Sequence, residues 1–443
     1  MACTQAALYK SINIRGGALS PSHLFIKGRT IMSLFTFKRI PLYFDKISAC
    51  VNLHDMTFLP AVMIFFLVIN TTLSLSALEM QLLSYAVLAM VIVSFLFMLA
   101  LVMHDKEISR YGFMHFLFLL FLFAMTLVNV NDIKNDIYNS IAIGLLLLLM
   151  RYYRHRMNMI LKCFTIAFTV CMWLNLFHLV THPLLWLVED HKDGIGYLLG
   201  DNYNQMGCRM IVALAANLMC IRYSRIWLFN FIIMAVVIIV SLLMVGSMTS
   251  LSMIVVFLVC CLLPTSKLRL SAICGLFAVF LLFQVFVVFN GRGLENNELA
   301  AYLVEDVLKK DLTFTYRTHM WESALKIIEE SPIWGWGFAD ADWYKSNMSS
   351  FAIGPHNFIL AILIHGGVIL LSIYIIICGK VFKNVLPYLK EKNIQLLLLS
   401  VACLWIMSLF EMYPYYFMLY PLALLYYSHY VYDDADKCTL MAE

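Results

Sequence analysis

Residues 317–367 read RTHMWESALKIIEESPIWGWGFADADWYKSNMSSFAIGPHNFILAILIHGG, and how that stretch is understood decides the fold around it. Helical spacing puts Trp321, Ala324, Leu325 and Ile328 on one face, with Glu322, Lys326, Glu329 and Glu330 largely on the other. Such a helix lies on top of something apolar, and Ser331-Pro332 stops it. An aromatic-glycine run follows, and Pro355-His356-Asn357 then stands at the mouth of another long apolar segment. Polar chemistry gathers here in a chain otherwise built of apolar runs. The stretch is a candidate site, not a soluble domain.

Outward from it the chain is mostly hydrocarbon. Of 443 residues, 62% are hydrophobic and 13% charged, against roughly 25% charged in an ordinary soluble domain. Apolar runs of about 17 to 23 residues recur along the whole length, enough to cross a bilayer as helices. They fall at roughly 57–78, 83–103, 113–130, 137–150, 160–181, 204–221, 226–244, 250–264, 270–290, 357–379, 394–412 and 414–430. The expected fold is therefore all-α, a polytopic bundle of about twelve transmembrane helices. Its parts would be an N-terminal segment (1–56), nine spans (57–290), a large loop with short helices (291–356), three spans (357–430) and a tail (431–443).

No cleavable signal peptide is expected, because the first strongly apolar run starts near Leu59 and has membrane length. Residues 1–31 read either as disordered or as an over-extended start, since Met32 opens a stretch like an ordinary membrane-protein beginning. The twelve cysteines lie nearly all inside apolar runs, among them Cys163, Cys171, Cys220, Cys260, Cys261 and Cys403, with no C-x-x-C spacing. They read as small core residues rather than a disulfide framework or a zinc site.

The placement of positive charge orients the bundle. Alternate loops carry Lys106/Arg110, Arg151/Arg154/Arg156, Arg222/Arg225, Lys267/Arg269 and Lys380/Lys383/Lys390/Lys392, while the intervening short loops hold only Lys134 and Lys192. By the positive-inside rule both termini are cytoplasmic, and residues 182–203 and 291–356 face outward. No repeat relates the two halves of the chain, which counts against a transporter built from symmetric halves.

Within 317–367, Arg317 is followed by Trp321 and the Ala324-Leu325 helix, then Ser331-Pro332 and the Gly335-Trp336-Gly337 turn. His356-Asn357 enters a helix carrying Gly366-Gly367. This order resembles the shared core of the bacterial O-antigen ligase and O-antigen/capsule polymerase superfamily. A further match is Gly200-Asp201-Asn202-Tyr203-Asn204 at an outer helix start. The resemblance implies a GT-C-like integral-membrane glycosyltransferase of the bacterial plasma membrane. It would move a glycan from undecaprenyl diphosphate onto an acceptor sugar hydroxyl at the outer face, without cofactor or metal. Its implied partners are the lipid-linked donor and acceptor and membrane lipids, with a chain-length-regulating protein left open and no nucleic acid. The sequence departs from the family where an outer turn usually carries Ser-Arg: here it reads Gly246-Ser247-Met248-Thr249-Ser250. Arg209, near the outer end of the sixth apolar segment, either replaces that arginine or snorkels to the headgroups.

The residue chemistry points the same way. Breaking a sugar–diphosphate bond develops negative charge on the leaving lipid, and a planar guanidinium grips phosphate oxygens bidentately. Arg317 is assigned that role, with Arg292 from the same loop; the bland alternative is a surface salt bridge. The acceptor hydroxyl must lose a proton, and His356 at a helix start suits a neutral base, although a lone interfacial histidine is often merely solvated. Asn357 either orients His356 or binds sugar, and Asn204 and Trp321 complete the substrate-binding set. Trp336, with Trp334, Phe338, Trp343 and Tyr344, either stacks on sugars or belongs to the interfacial aromatic belt. His365 is expected to pack or hydrogen-bond between helices, Asp340-Ala341-Asp342 to be a solvated turn, and Glu411 is a minor candidate for a second base. Three functions compete: polymerase of repeat units, ligase to lipid A-core, and a flippase for lipid-linked sugars.

Overall fold

The computed structural model describes residues 57–75, 80–105, 109–129, 131–187, 196–200, 202–290, 317–350 and 352–430. The chain divides into Met1–Leu53 and His54–Glu443, and all described residues belong to the second unit. They fold entirely into helices and turns. Polar residues punctuate the apolar sequence: Ser109, Asp132, Ser224, Thr265 and Asn357 each cap the helix that follows through the side-chain oxygen. In order these helices are α1 (Phe58–Thr72), α2 (Gln81–His104), α3 (Arg110–Val128), α4 (Ile133–Tyr152), α5 (Met157–Thr181), α6 (Met206–Cys220), α7 (Arg225–Val245), α8 (Met248–Cys261), α9 (Ser266–Phe283), α10 (Arg317–Glu330), α11 (Ala341–Asn347), α12 (Phe358–Val385), α13 (Lys392–Met407) and α14 (Tyr415–Tyr427).

Each of the twelve expected apolar segments falls on one of these helices, but among the described residues seven helices are long and apolar enough to cross a membrane. Three shorter apolar ones (α1, α8 and α13) have 14 to 16 residues. At 1.5 Å per residue these fall short of the roughly 30 Å hydrocarbon core. The shortening has a local cause at α13 and α14, where the expected run 394–412 stops at Met407 and the chain turns through Ser408–Pro414.

Burial sorts the helices. Every residue of α6 is buried, as is nearly all of α13 and α14. In α6, Gly207 with Ala213, Ala215 and Ala216 lets neighbours approach closely, as small residues do in membrane bundles. A Cβ at Gly207 would sit 2.4 Å from Met407 Cε of α13. By contrast α2, α3, α7 and α9 carry exposed Leu82, Leu96, Phe116, Ile232 and Leu281, the outward hydrocarbon of a helix solvated by lipid.

The bundle has two chemically distinct ends. At one, Arg269 near the start of α9 donates to Gln395 Oε1 near the start of α13 at 2.7 Å. At the other, the chain 332–338 is inserted into a break in α12, where Gly366 (φ −151°) and Gly367 (φ +57°) leave helical geometry. The carbonyls freed by that break are taken up: Trp336 N–H donates to Ile364 O (2.7 Å) and Gly337 N–H to His365 O (2.9 Å). Val368 N–H in turn donates to Pro332 O at 2.9 Å. Irregular backbone at this depth is tolerated only where protein satisfies it. Glycine is required at Gly367, because its φ is positive and a Cβ there would lie 2.3 Å from the Ile333 carbonyl. Gly367→Ala is therefore expected to destabilise the fold by about 2 kcal/mol or more, measured as a lowered melting temperature in detergent.

Candidate functional site

The turn Ser408–Pro414, between α13 and α14, is where the candidate residues meet. Phe358 N–H donates to Ser408 O at 3.0 Å, which docks the start of α12 on this turn. Asn357 Nδ2 donates to Leu409 O at 3.2 Å, and Arg317 Nε donates to Phe410 O at 2.9 Å. His356 Nδ1 lies 3.3 Å from Glu411 Oε1. Met412 touches Tyr344, whose hydroxyl lies 3.9 Å from its sulfur. Consecutive residues of one short turn thus hold α10, α11 and α12 at one point. Arg317 and His356, 39 positions apart in the chain, bind adjacent residues of that turn.

His356 stands out in backbone terms. At φ +46° it is the non-glycine residue with positive φ among those described; histidine is one of the few side chains enriched there, and such strain clusters at functional sites. Its side chain is 21% exposed, whereas that of Glu411 is 6% exposed. The pair is close enough for charge interaction yet poorly angled, so Nδ1 and the second Glu411 oxygen, Oε2, have no hydrogen-bond partner among the described residues. Catalytic contacts of this kind are often loose until substrate arrives. Burial, with Cys208 and Glu411 nearby, holds the Tyr413 phenol well above its ordinary value, while Arg317 pulls it down. Glu411, Arg317 and the Cys208 region of α6 therefore share one electrostatic neighbourhood.

Arg209 faces that neighbourhood from α6. It is 6% exposed, donates through Nη1 to Gln205 O at 3.0 Å, and lies 4.8 Å from the Phe417 ring centroid. Gly200, at φ +96°, leaves room for it: a Cβ there would come within 2.7 Å of Nη1. Nε has no partner, and Arg209 forms no ion pair with a carboxylate among the described residues. A buried cation with no carboxylate partner among the described residues is costly to hold. Opposite, the Gly246–Ser250 turn bonds to itself through Ser247 Oγ to Ser250 Oγ (3.0 Å), with Met248 exposed.

The other expected residues divide. Asn357 is fully engaged: its oxygen caps α12 at Leu360 N–H (3.0 Å), and its two amide hydrogens serve Leu409 O and Gln284 Oε1 (2.9 Å). Trp321 is fully buried against Phe283 in the cluster that seats α10, and Trp336 donates through Nε1 to Ile327 O at 3.1 Å, closing the end of α10. Asn204 is half-buried in the short turn that Asn202 caps. Arg292 lies outside the described residues. His365 bridges helices, with Tyr344 Oη at 3.0 Å and Tyr415 Oη at 2.7 Å. Asp340 caps α11 and Asp342, in the first turn of that helix, pairs with Lys345, so Asp340-Ala341-Asp342 is an exposed helix start rather than the expected loop turn. No group of three or more potential metal-ligating side chains occurs among the described residues.

Sequence reasoning gave Glu411 a marginal place and missed Gln284 and the carbonyls of 408–410 altogether. Glu411 had one usable signal, an acid inside an otherwise apolar run. Compared with known proteins, residues 206–375 match the family model described as O-antigen ligase. No curated protein matches the chain. The matched span contains Arg209, Gln284, Arg317, His356 and Asn357, while the turn carrying Glu411 lies beyond it.

Proposed function

We propose, from the likeness of residues 206–375 to the family model described as O-antigen ligase, that this protein is a polysaccharide polymerase of the outer face of the bacterial plasma membrane. It transfers a growing glycan from undecaprenyl diphosphate onto a lipid-linked repeat unit. The observation that carries this is the convergence of Arg317, His356 and Glu411 on one turn. The acceptor hydroxyl attacks the anomeric carbon and gives its proton to His356 Nε2. The bond from that carbon to the diphosphate oxygen breaks, and its electron pair leaves with the lipid diphosphate. Arg317 and Arg209, with Arg292, stabilise that charge. Glu411 Oε1 stands 3.3 Å from Nδ1, beside the ring that takes the proton. Asn357, saturated by protein partners, holds the His356 turn rather than a sugar. A single displacement inverts the anomeric centre, and no step calls for a metal.

The second reading, transfer of the same glycan to lipid A-core, is favoured by the description of the matched family. Both need the diphosphate grip and the base and differ only in the acceptor. Protein in liposomes, given lipid-linked repeat units, is expected to produce a ladder of lengthened lipid-linked chains, unchanged by chelator. A product formed only when lipid A-core is added would make it a ligase. No transfer to either acceptor would overturn the enzymatic reading and leave a flippase as the alternative.

A further inference from the structure

Helix α9 does not end with its last α-helical residue, Phe283. Gln284–Val288 continues it as a π turn, with Phe289 N–H donating to Gln284 O at 3.0 Å. Such a turn takes up an extra residue and re-aims the side chains at its position, and it is found disproportionately at functional sites. Here it carries a polar residue in a helix end that otherwise presents Phe280 and Phe283 to the core. Gln284 is 4% exposed.

Its Oε1 accepts from Asn357 Nδ2 at 2.9 Å. That bond completes Asn357, whose remaining donor and acceptor are spent on Leu409 O and Leu360 N–H. Asn357 directly follows His356, the residue held at φ +46°. Gln284 Nε2, by contrast, is buried with no hydrogen-bond partner among the described residues. A leucine or methionine would occupy similar space without burying that unpaired amide donor, but would leave the Asn357 donor without its acceptor. What glutamine supplies here, and hydrocarbon would not, is the acceptor oxygen against Asn357.

We infer that Gln284 is a positioning residue for transfer at His356: through Asn357 it fixes the left-handed turn that presents the imidazole to the acceptor hydroxyl. This rests on the assignment of His356 as the proton acceptor. Gln284 touches Asn357, so it acts on the orientation of the base rather than on the donor's affinity.

The test uses the full chain in liposomes, with lipid-linked repeat units extracted from source cells deleted for this chain. Gln284→Leu removes the acceptor oxygen, while Gln284→Glu keeps one. Turnover of Gln284→Leu is expected to fall between about 10- and 100-fold, the cost of a misplaced catalytic group. Donor KM and detergent melting temperature should stay at wild-type values. Gln284→Glu should recover most of the turnover, because its carboxylate still accepts from Asn357. Gln284→Leu turning over like wild type would overturn the inference, as would Gln284→Glu being equally impaired or a loss carried by KM alone. If Gln284→Leu does not accumulate, Gln284→Met replaces it under the same outcomes. A wild-type protein inert on these substrates would sink the assigned reaction instead, and the positioning role with it.

Discussion

His356→Asn is expected to abolish long-chain glycan on a gel, with turnover reduced about 10²- to 10⁴-fold, the usual contribution of a positioned general base. Asparagine is the informative replacement because it tolerates the left-handed backbone that His356 adopts, so the turn survives while the basic nitrogen goes. Alanine is a harsher control at φ +46°, and a loss seen only with alanine would indicate strain rather than chemistry. Protein level and membrane insertion should not change, since the side chain is partly exposed and faces Glu411 among the described residues. Glu411→Gln keeps the shape and removes the charge facing the imidazolium. Its loss should be smaller than that of His356→Asn and should not add to it, because both act on one proton transfer. A wild-type ladder from His356→Asn would remove the base assignment.

Why some of this site was legible in the sequence and some was not comes down to what each contact is made of. The face of α10 was readable because helical period alone decides it: Trp321 and Ala324 are fully buried, while Lys326, Glu329 and Glu330 are exposed. Ile327, also buried, widens that face by one position. The glycines of 335–337 and 366–367 were visible as separate pieces of a resemblance. Their physical meaning appears only when they are brought together: a Cβ at Gly335 would lie 2.5 Å from Gly366 N and one at Gly367 2.3 Å from Ile333 O, so each of these two glycines admits the other segment's backbone. Such pairing across about thirty residues has no local signature. The hub at Ser408–Phe410 is still less readable, because it works through carbonyl oxygens that every residue possesses. A continuous apolar run through 394–412 suggested helix; three carbonyl contacts with α10 and α12 stop it at Met407. The roles of Asn357 and Trp336, by contrast, were left open between ligand and scaffold, and the geometry shows how strongly scaffold bonds already occupy both.

Arg317→Ala should lower turnover about 10²- to 10³-fold, the range for removing one preorganised donor from a developing anion. The loss should persist in Arg317→Lys. Lysine keeps the charge but cannot donate from a guanidinium Nε to Phe410 O while presenting a planar fork to a phosphate. The bond to Phe410 ties Arg317 to the turn bearing Glu411, so on the proposed reading a diphosphate held there would bring its charge to the turn that faces His356. Arg209 provides the contrast that separates grip from architecture. It is buried, forms no ion pair with a carboxylate among the described residues, and lies in the first turn of α6. Arg209→Ala therefore relieves a desolvated charge even as it weakens donor binding. It should raise donor KM more than it lowers turnover, and leave the melting temperature unchanged or higher. If Arg317→Lys matched the wild type in turnover, the bidentate grip would be wrong and a diffuse positive field would suffice. If Arg209→Ala instead unfolded the protein with donor KM intact, that guanidinium would be scaffold, and Arg317 would have to hold the diphosphate without it.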